Sequence, residues 1–154
     1  MNAITQRHPD ESELAEVKAF VQEVVDETYS GLWSKAPIAI CESDWLRSWI
    51  VTEGSVIVGV VLTLDGWLED LWIAKSCRSQ GLGAQLLLRA ESEIAQSGFE
   101  VAKLRVVSTN TRAISFYELH GWQAEDKYPH EQFPIFMVEM RKRLVATSQT
   151  ATRL

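Results

Sequence analysis

Hydrophobic residues near the N-terminus recur at the spacing of an amphipathic helix. A short strand pattern over Ala3–Arg7 precedes them. Asp10 and Glu13 have the spacing of a capping box, which favours a helix N-terminus. The apolar positions that follow share one helical face: Leu14, Val17, Phe20, Val21, Val24 and Val25. The pattern predicts a helix that ends near Tyr29–Gly31.

Strand patterns dominate the middle of the chain. Residues 32–47 contain Pro37, and their pattern predicts little regular structure. A short helix is predicted over Asp44–Trp49. Three apolar runs follow, over Ser48–Glu53, Ser55–Asp65 and Trp67–Ala74. Only Gly54 separates the first two runs, and Asp65-Gly66 between the second and third is a strong hairpin signal. These runs predict an antiparallel meander.

The second half of the chain predicts a crossover connection. Its segments are a helix over Gly83–Ser97, a strand over Phe99–Val107, a helix from Asn110 or Thr111 to Leu119, and strands over Trp122–Lys127 and Pro134–Arg141. A strand, a helix and a further strand form a right-handed parallel crossover. The predicted fold class is therefore mixed α/β, an antiparallel meander followed by a parallel β-α-β crossover. We expect one domain over residues 1–144 and a polar tail over residues 145–154.

Composition narrows the classes of function. The chain has 154 residues and a net charge of -6, which disfavours a nucleic-acid partner. The apolar run Val56–Leu64 is half of the roughly 18 residues that a membrane span needs. The N-terminus lacks an apolar signal segment, so we expect a cytoplasmic protein with no membrane partner. Cys41, Cys77 and the three histidines are scattered, which predicts no metal site.

Charge is unevenly distributed along the chain. Residues 1–70 contain 13 acidic and 4 basic residues, whereas residues 71–154 contain 8 acidic and 11 basic residues. This asymmetry suits a cationic ligand on one side and an anionic ligand on the other. A solvated acidic helix face explains the first half equally well, so both interpretations stay open.

A glycine-containing loop follows the third predicted strand of the meander. Gly81 and Gly83 permit close approach of a ligand, and the free amides of the next helix carry partial positive charge. Arg78 adds a full charge, so the loop predicts a site for a pyrophosphate. A P-loop requires Gly-Lys-Ser/Thr, which is absent here. A dinucleotide fingerprint requires a third glycine where Leu86 stands, and it opens a parallel sheet instead of following a meander.

Two motifs resemble those of the GNAT acetyltransferase superfamily. Arg78-Ser-Gln-Gly81-Leu-Gly83 resembles its acyl-CoA loop, Arg/Gln-x-x-Gly-x-Gly/Ala. Asn110-Thr-Arg-Ala-Ile-Ser-Phe-Tyr117-Glu-Leu-His-Gly-Trp122 resembles its second signature, Asn-x-x-Ala-x-x-Phe-Tyr-x-x-x-Gly-Phe. The order of elements agrees over about residues 3–141. Lys75 and Trp122 depart from the Pro and Phe that are frequent in relatives.

The resemblance implies a binding site for acetyl-CoA as co-substrate and no metal. In this family the strands at Trp67–Ala74 and Phe99–Val107 splay apart, and the pantetheine arm enters the gap. The pyrophosphate then lies on the loop amides, and a backbone amide near Ile73 stabilises the oxyanion. The implied cofactor-binding residues are Leu71, Trp72, Ile73, Arg78, Ser79, Gln80, Gly81, Leu82, Gly83, Ala84, Asn110 and Tyr117.

The resemblance also implies direct attack of a primary amine on the thioester, in a ternary complex. Tyr117 is the candidate acid for the departing thiolate, because a phenol with a pKa of about 10 can supply that proton. Glu69 is the candidate base, directly or through water, although an alternating strand explains it as well. Asp70 points to the opposite face, so one of the pair is expected to be structural. His130 and Glu131 either border the acceptor site or belong to a solvated loop.

The sequence therefore predicts an acetyl-CoA-dependent N-acetyltransferase acting on a small-molecule amine or a peptide amine. The acidic first half favours a cationic acceptor: a polyamine, an aminoglycoside-like compound, an amino-acid derivative, or a protein lysine or N-terminus. A non-catalytic acyl-CoA sensor is the alternative, and the presence of both Tyr117 and Glu69 argues against it. A scaffold that binds no cofactor is the third option. The resemblance suggests a homodimer.

Overall fold

Seven β-strands and three α-helices make up the computed structural model, which describes residues 3–29 and 42–144. The strands are β1 Ile4–Arg7, β2 Trp49–Glu53, β3 Val56–Leu64, β4 Trp67–Ile73, β5 Val101–Val107, β6 Gln123–Pro129 and β7 Phe136–Arg143. The helices are α1 Leu14–Thr28, α2 Leu82–Gln96 and α3 Thr111–Leu119. The strands form one mixed sheet in the order β1-β2-β3-β4-β5-β7-β6. The mixed α/β fold class predicted from the sequence is confirmed.

The chain divides into two compact units. The first comprises Met1–Thr63 and Asp70–Ala90, and the second comprises Leu64–Glu69 and Glu91–Leu154. Both β4 and α2 therefore contribute residues to each unit.

The first unit is built on antiparallel strands and two helical segments. β1 pairs with β2 and β2 pairs with β3, each in antiparallel register. Its core is aliphatic apart from Trp45 and consists mainly of Val17, Val21, Val24, Ile50, Val51, Val60, Val61, Leu86, Leu87 and Ala90. Burial of such side chains contributes about 1.5–3 kcal/mol each. The capping box forms as predicted, because Glu13 Oε1 accepts a hydrogen bond from the Asp10 N–H at 3.1 Å.

The second unit contains the parallel pair that the crossover predicts. Trp67 on β4 is opposite Lys103 on β5, and Leu68 is opposite Leu104. This parallel register covers two residue pairs, whereas the antiparallel register of β5 with β7 covers seven. The side chains of β5 alternate, since Ala102 and Leu104 are buried while Arg105 is exposed.

Several predicted boundaries differ from the structure by a few residues. A 3-10 turn at Glu11–Glu13 precedes α1, and the short helix predicted at Asp44–Trp49 is a 3-10 segment at Glu42–Arg47. The first predicted strand of the second half begins at Val101 instead of Phe99. Pro37 lies outside the described residues. Short 3-10 segments are common both at the ends of α-helices and as connectors, which is consistent with the first two differences.

Candidate active site

The loop between β4 and α2 is shaped by its backbone conformation. Cys77, in a 3-10 turn, is buried and anchors the loop. Ser79 and Gly81 both have positive φ angles, of 69° and 84°. α2 then begins at Leu82, whose side chain is buried in the core of the first unit. The loop is thus held at both ends, while its polar middle is exposed.

The Gly81 position has open space around it. A Cβ built there would meet no heavy atom within 4 Å. The first backbone N–H groups of α2 have no carbonyl partner within the helix, and they carry partial positive charge. Arg78 Nε lies 3.4 Å from the Ile73 carbonyl, to which it donates a hydrogen bond. The residues present therefore fit a pyrophosphate, with room for it beside Gly81.

Polar side chains on β4 separate into two roles. Asp70 Oδ1 accepts a hydrogen bond from Trp72 Nε1 at 2.7 Å, and the Trp72 ring meets the Tyr29 ring edge-on at 6.3 Å. This contact gives Asp70 a structural role. Glu69 is exposed, and its role as the base stays a prediction. Leu71, Trp72 and Ile73 are half-buried.

Burial and a nearby positive charge act on the Glu69 carboxylate in the second unit. Desolvation by neighbouring atoms raises the pKa of Glu69, and the positive charge of Arg105 opposes this rise. Arg105 lies over the Trp67 ring at 4.4 Å, and Lys103 lies over the same ring at 5.6 Å. A carboxylate with a raised pKa is better suited to accept a proton near neutral pH.

Tyr128 of β6 completes this group. Burial raises the pKa of Tyr128, while the charge of Arg105 and a hydrogen bond from its guanidinium partly offset the rise. Arg105 is therefore held between an aromatic face on β4 and a phenol on β6. We call Trp67, Glu69, Arg105 and Tyr128 the Arg105 cluster.

α3 carries the second motif. Asn110 caps the helix, because its Oδ1 accepts a hydrogen bond from the Ala113 N–H at 3.2 Å. Tyr117 is half-buried, with its ring 5.9 Å from Trp122 and 5.4 Å from Phe116. The Trp122 N–H donates to the Tyr117 carbonyl at 3.0 Å. The aromatic contacts and this hydrogen bond fix the end of α3 on which Tyr117 lies.

A part-buried polar network supports the same helix end. Glu91 of α2 accepts hydrogen bonds from Trp122 Nε1 at 3.1 Å and from Lys142 Nζ at 2.9 Å. Lys142 also donates to the His120 carbonyl at 2.8 Å, just beyond α3. Since Trp122 packs against Tyr117, the network holds the indole that positions the tyrosine ring. The sequence pattern contained no sign of this network, because its members are far apart in the chain.

His130 has a local structural role. Its Nδ1 accepts hydrogen bonds from the N–H groups of Gln132 and Phe133 at 3.0 and 3.2 Å. It therefore shapes the loop between β6 and β7, which favours the loop interpretation of the sequence. Trp45 is fully buried, as expected of a core residue.

Sequence reasoning missed Arg105, Trp67 and Tyr128 as site residues. Glu69 and Arg105 are the next positions after the paired residues Leu68 and Leu104, and the local sequence pattern does not specify this register. Among residues 3–29 and 42–144, no group of three or more His, Cys, Asp or Glu side chains could hold a metal ion. In the same ranges, no helix has the length and apolar character required to cross a membrane.

Comparison with known proteins identifies a family. Residues 18–122 match the model of the acetyltransferase (GNAT) family. A search of curated proteins found no match.

Solved structures with the same fold cover almost the whole chain. PaiA N-acetyltransferase from Thermoplasma acidophilum, in complex with coenzyme A, is 20% identical with a TM-score of 0.69, covering 92% of this chain and 99% of that chain. YncA from Salmonella typhimurium, with its cofactor acetyl-CoA, is 16% identical with a TM-score of 0.72, covering 93% and 95%. Ribosomal-protein-alanine N-acetyltransferase from Brucella melitensis is 16% identical with a TM-score of 0.72, covering 91% and 99%.

Proposed function

The chain belongs to the GNAT acetyltransferase family, and on this premise we propose that it transfers the acetyl group of acetyl-CoA to a primary amine. The observation that carries the proposal is the β4–α2 loop, where open space at Gly81 adjoins the free amides of α2. The coenzyme A bound to the Thermoplasma acidophilum relative and the acetyl-CoA bound to the Salmonella typhimurium relative support the choice of cofactor.

Acetyl-CoA supplies an activated acetyl thioester, and we assign its binding to specific backbone and side-chain groups. The amides from Arg78 to Ala84 hold the pyrophosphate. The backbone of Leu71–Ile73 bonds the pantetheine arm, which the short register of β4 with β5 supports. Asn110 contacts the same arm in addition to capping α3. Contacts of this kind position the thioester and provide no chemistry by themselves.

Two side chains move protons in the proposed reaction. The amine nitrogen forms a bond to the acetyl carbon while the carbon–sulfur bond breaks, so the enzyme needs no nucleophile of its own. Glu69, directly or through water, accepts the proton that the amine must lose, and its raised pKa supports this role. Tyr117 donates its hydroxyl proton to the departing sulfur and is reprotonated from solvent.

Replacement of Tyr117 by Phe tests the proposed acid. Phe retains the ring that packs against Trp122, so the fold and the affinity for acetyl-CoA should persist. Turnover, followed by thiol release, should fall by about 10²-fold or more, because general-acid catalysis contributes roughly 10²–10⁴-fold. Calorimetric titration with acetyl-CoA is the control for binding. Unchanged turnover would show that Tyr117 is not the acid.

The acceptor is a small-molecule amine or a peptide amine. The Brucella melitensis relative, a ribosomal-protein-alanine N-acetyltransferase, supports the peptide class. Homodimerisation, a cytoplasmic location and a single domain over residues 1–144 stay predictions, and sedimentation and cell fractionation test the first two.

A further inference from the structure

The Arg105 cluster places an available cation next to the proposed base. Arg105 is exposed, and in the described part of the chain it forms no direct ion pair with a carboxylate. Its guanidinium is instead held over Trp67 at 4.4 Å and hydrogen-bonded to Tyr128. A guanidinium has five N–H donors. One that stacks on a ring and forms a hydrogen bond to a phenol therefore keeps N–H groups for a ligand.

Other charged side chains of both signs lie near Arg105 in the second unit. Lys103 is opposite Arg141 in the register of β5 with β7, and both are basic. Arg141 Nε is buried with no hydrogen-bond partner among the described residues. Acidic side chains are present as well, because Glu139 is opposite both Arg105 and Asp126 and, with Glu131, acts on Tyr128.

We propose that Arg105 binds a carboxylate of the acceptor, so that the substrate is a short amino acid whose amine lies within two or three bonds of that carboxylate. The inference rests on the proposed function, because it uses Glu69 as the group that accepts the proton of the amine. Glu69 and Arg105 directly follow the last paired positions of β4 and β5, Leu68 and Leu104, so their side chains suit two groups on one small molecule. Arginine matches a carboxylate by two parallel hydrogen bonds.

This substrate class differs from the cationic acceptor that the acidic first half favours. Charges separated by more than a Debye length of about 8 Å are largely screened at physiological salt. In the proposed site the charges nearest to Glu69 set the selectivity, and the Arg105 guanidinium favours a carboxylate over the second ammonium of a polyamine.

The first test compares amino acids with their carboxamides as acceptors in the thiol-release assay. Glycine, alanine, leucine and glutamate are paired with the matching amides, and propane-1,3-diamine represents the polycations. We expect at least one acid to exceed its amide by about tenfold or more in kcat/KM, since losing a charge-assisted hydrogen bond has an effect of that size. Arg105→Gln should abolish this preference mainly through KM. Arg143→Gln, the same charge change at the far end of β7, is the matched control and should preserve it.

The second test measures binding without turnover. The indole N–H signal of Trp67 is followed by NMR while L-alanine or L-alaninamide is added to protein containing coenzyme A. The acid should shift the signal and the amide should not, and Arg105→Gln should remove the shift. Equal shifts for the pair, no shift, or acetylation that favours amides or the diamine would overturn the inference. Absence of acetyl-CoA binding and of all transfer would instead contradict the proposed function, and the NMR result is independent of it.

Discussion

Replacement of Gly81 by Ala separates the cost of backbone strain from the loss of cofactor binding. Gly81 has a φ of 84°, and an L-residue in this left-handed region costs roughly 1–2 kcal/mol. Reduced entropy of the unfolded chain offsets about 0.4–1 kcal/mol of that cost. A net loss of about 1 kcal/mol corresponds to a fall in Tm of about 2–4 °C for a chain of this size. No clash adds to it, because the space beside Gly81 is open.

Gly98 provides a matched control at the other end of α2. It has a φ of 96°, and a Cβ there would also meet no heavy atom within 4 Å. Gly98→Ala should therefore lower Tm as much as Gly81→Ala, as measured by thermal unfolding without ligand. The two variants differ only in what the added methyl group faces.

Acetyl-CoA affinity should distinguish the two variants in calorimetric titration. In Gly81→Ala the methyl group fills the space proposed for the pyrophosphate, and loss of one charge-assisted hydrogen bond, about 1.5–3 kcal/mol, weakens binding by about 10–150-fold. Gly98→Ala should bind like the parent. Unchanged affinity in Gly81→Ala would refute the loop assignment, and equal losses in both variants would show that strain alone explains the effect.

Two further predictions concern the second unit. Glu91→Gln should lower the free energy of unfolding, measured in urea, by about 1–3 kcal/mol, because part-buried Lys142 loses its charged partner. Glu100→Gln is the control and should leave the free energy of unfolding unchanged, because Glu100 is exposed. The kcat/KM for a neutral amine should rise with pH through the pKa of Glu69, which lies above its ordinary 4.5. Arg105→Gln removes the charge that lowers this pKa, so the acidic limb should move to higher pH; a limb that stays in place or moves down contradicts the assignment of Glu69 as base.

Local periodicity was sufficient to predict most of the fold. The apolar spacing of α1, the Asp65-Gly66 turn and the Asn110 cap are each specified by residues that are close in sequence. The boundaries shifted where a helix end tightened into 3-10 geometry or where Phe99 stayed outside its strand. Hydrogen bonding at element ends depends on tertiary neighbours, which the sequence pattern does not contain.

Some parts of the candidate site could be predicted from the sequence and others could not, for a physical reason. The loop at Gly81 and the motif at Tyr117 are short segments whose function depends on residues next to one another. The role that we propose for Arg105 depends on strand pairing, because the Trp67 ring, the Tyr128 hydroxyl and the Glu69 carboxylate come from two other strands. Without those neighbours Arg105 is one polar position in an alternating strand. The cofactor class could therefore be predicted from local motifs, whereas the acceptor class that we propose depends on charged side chains that strand pairing brings together.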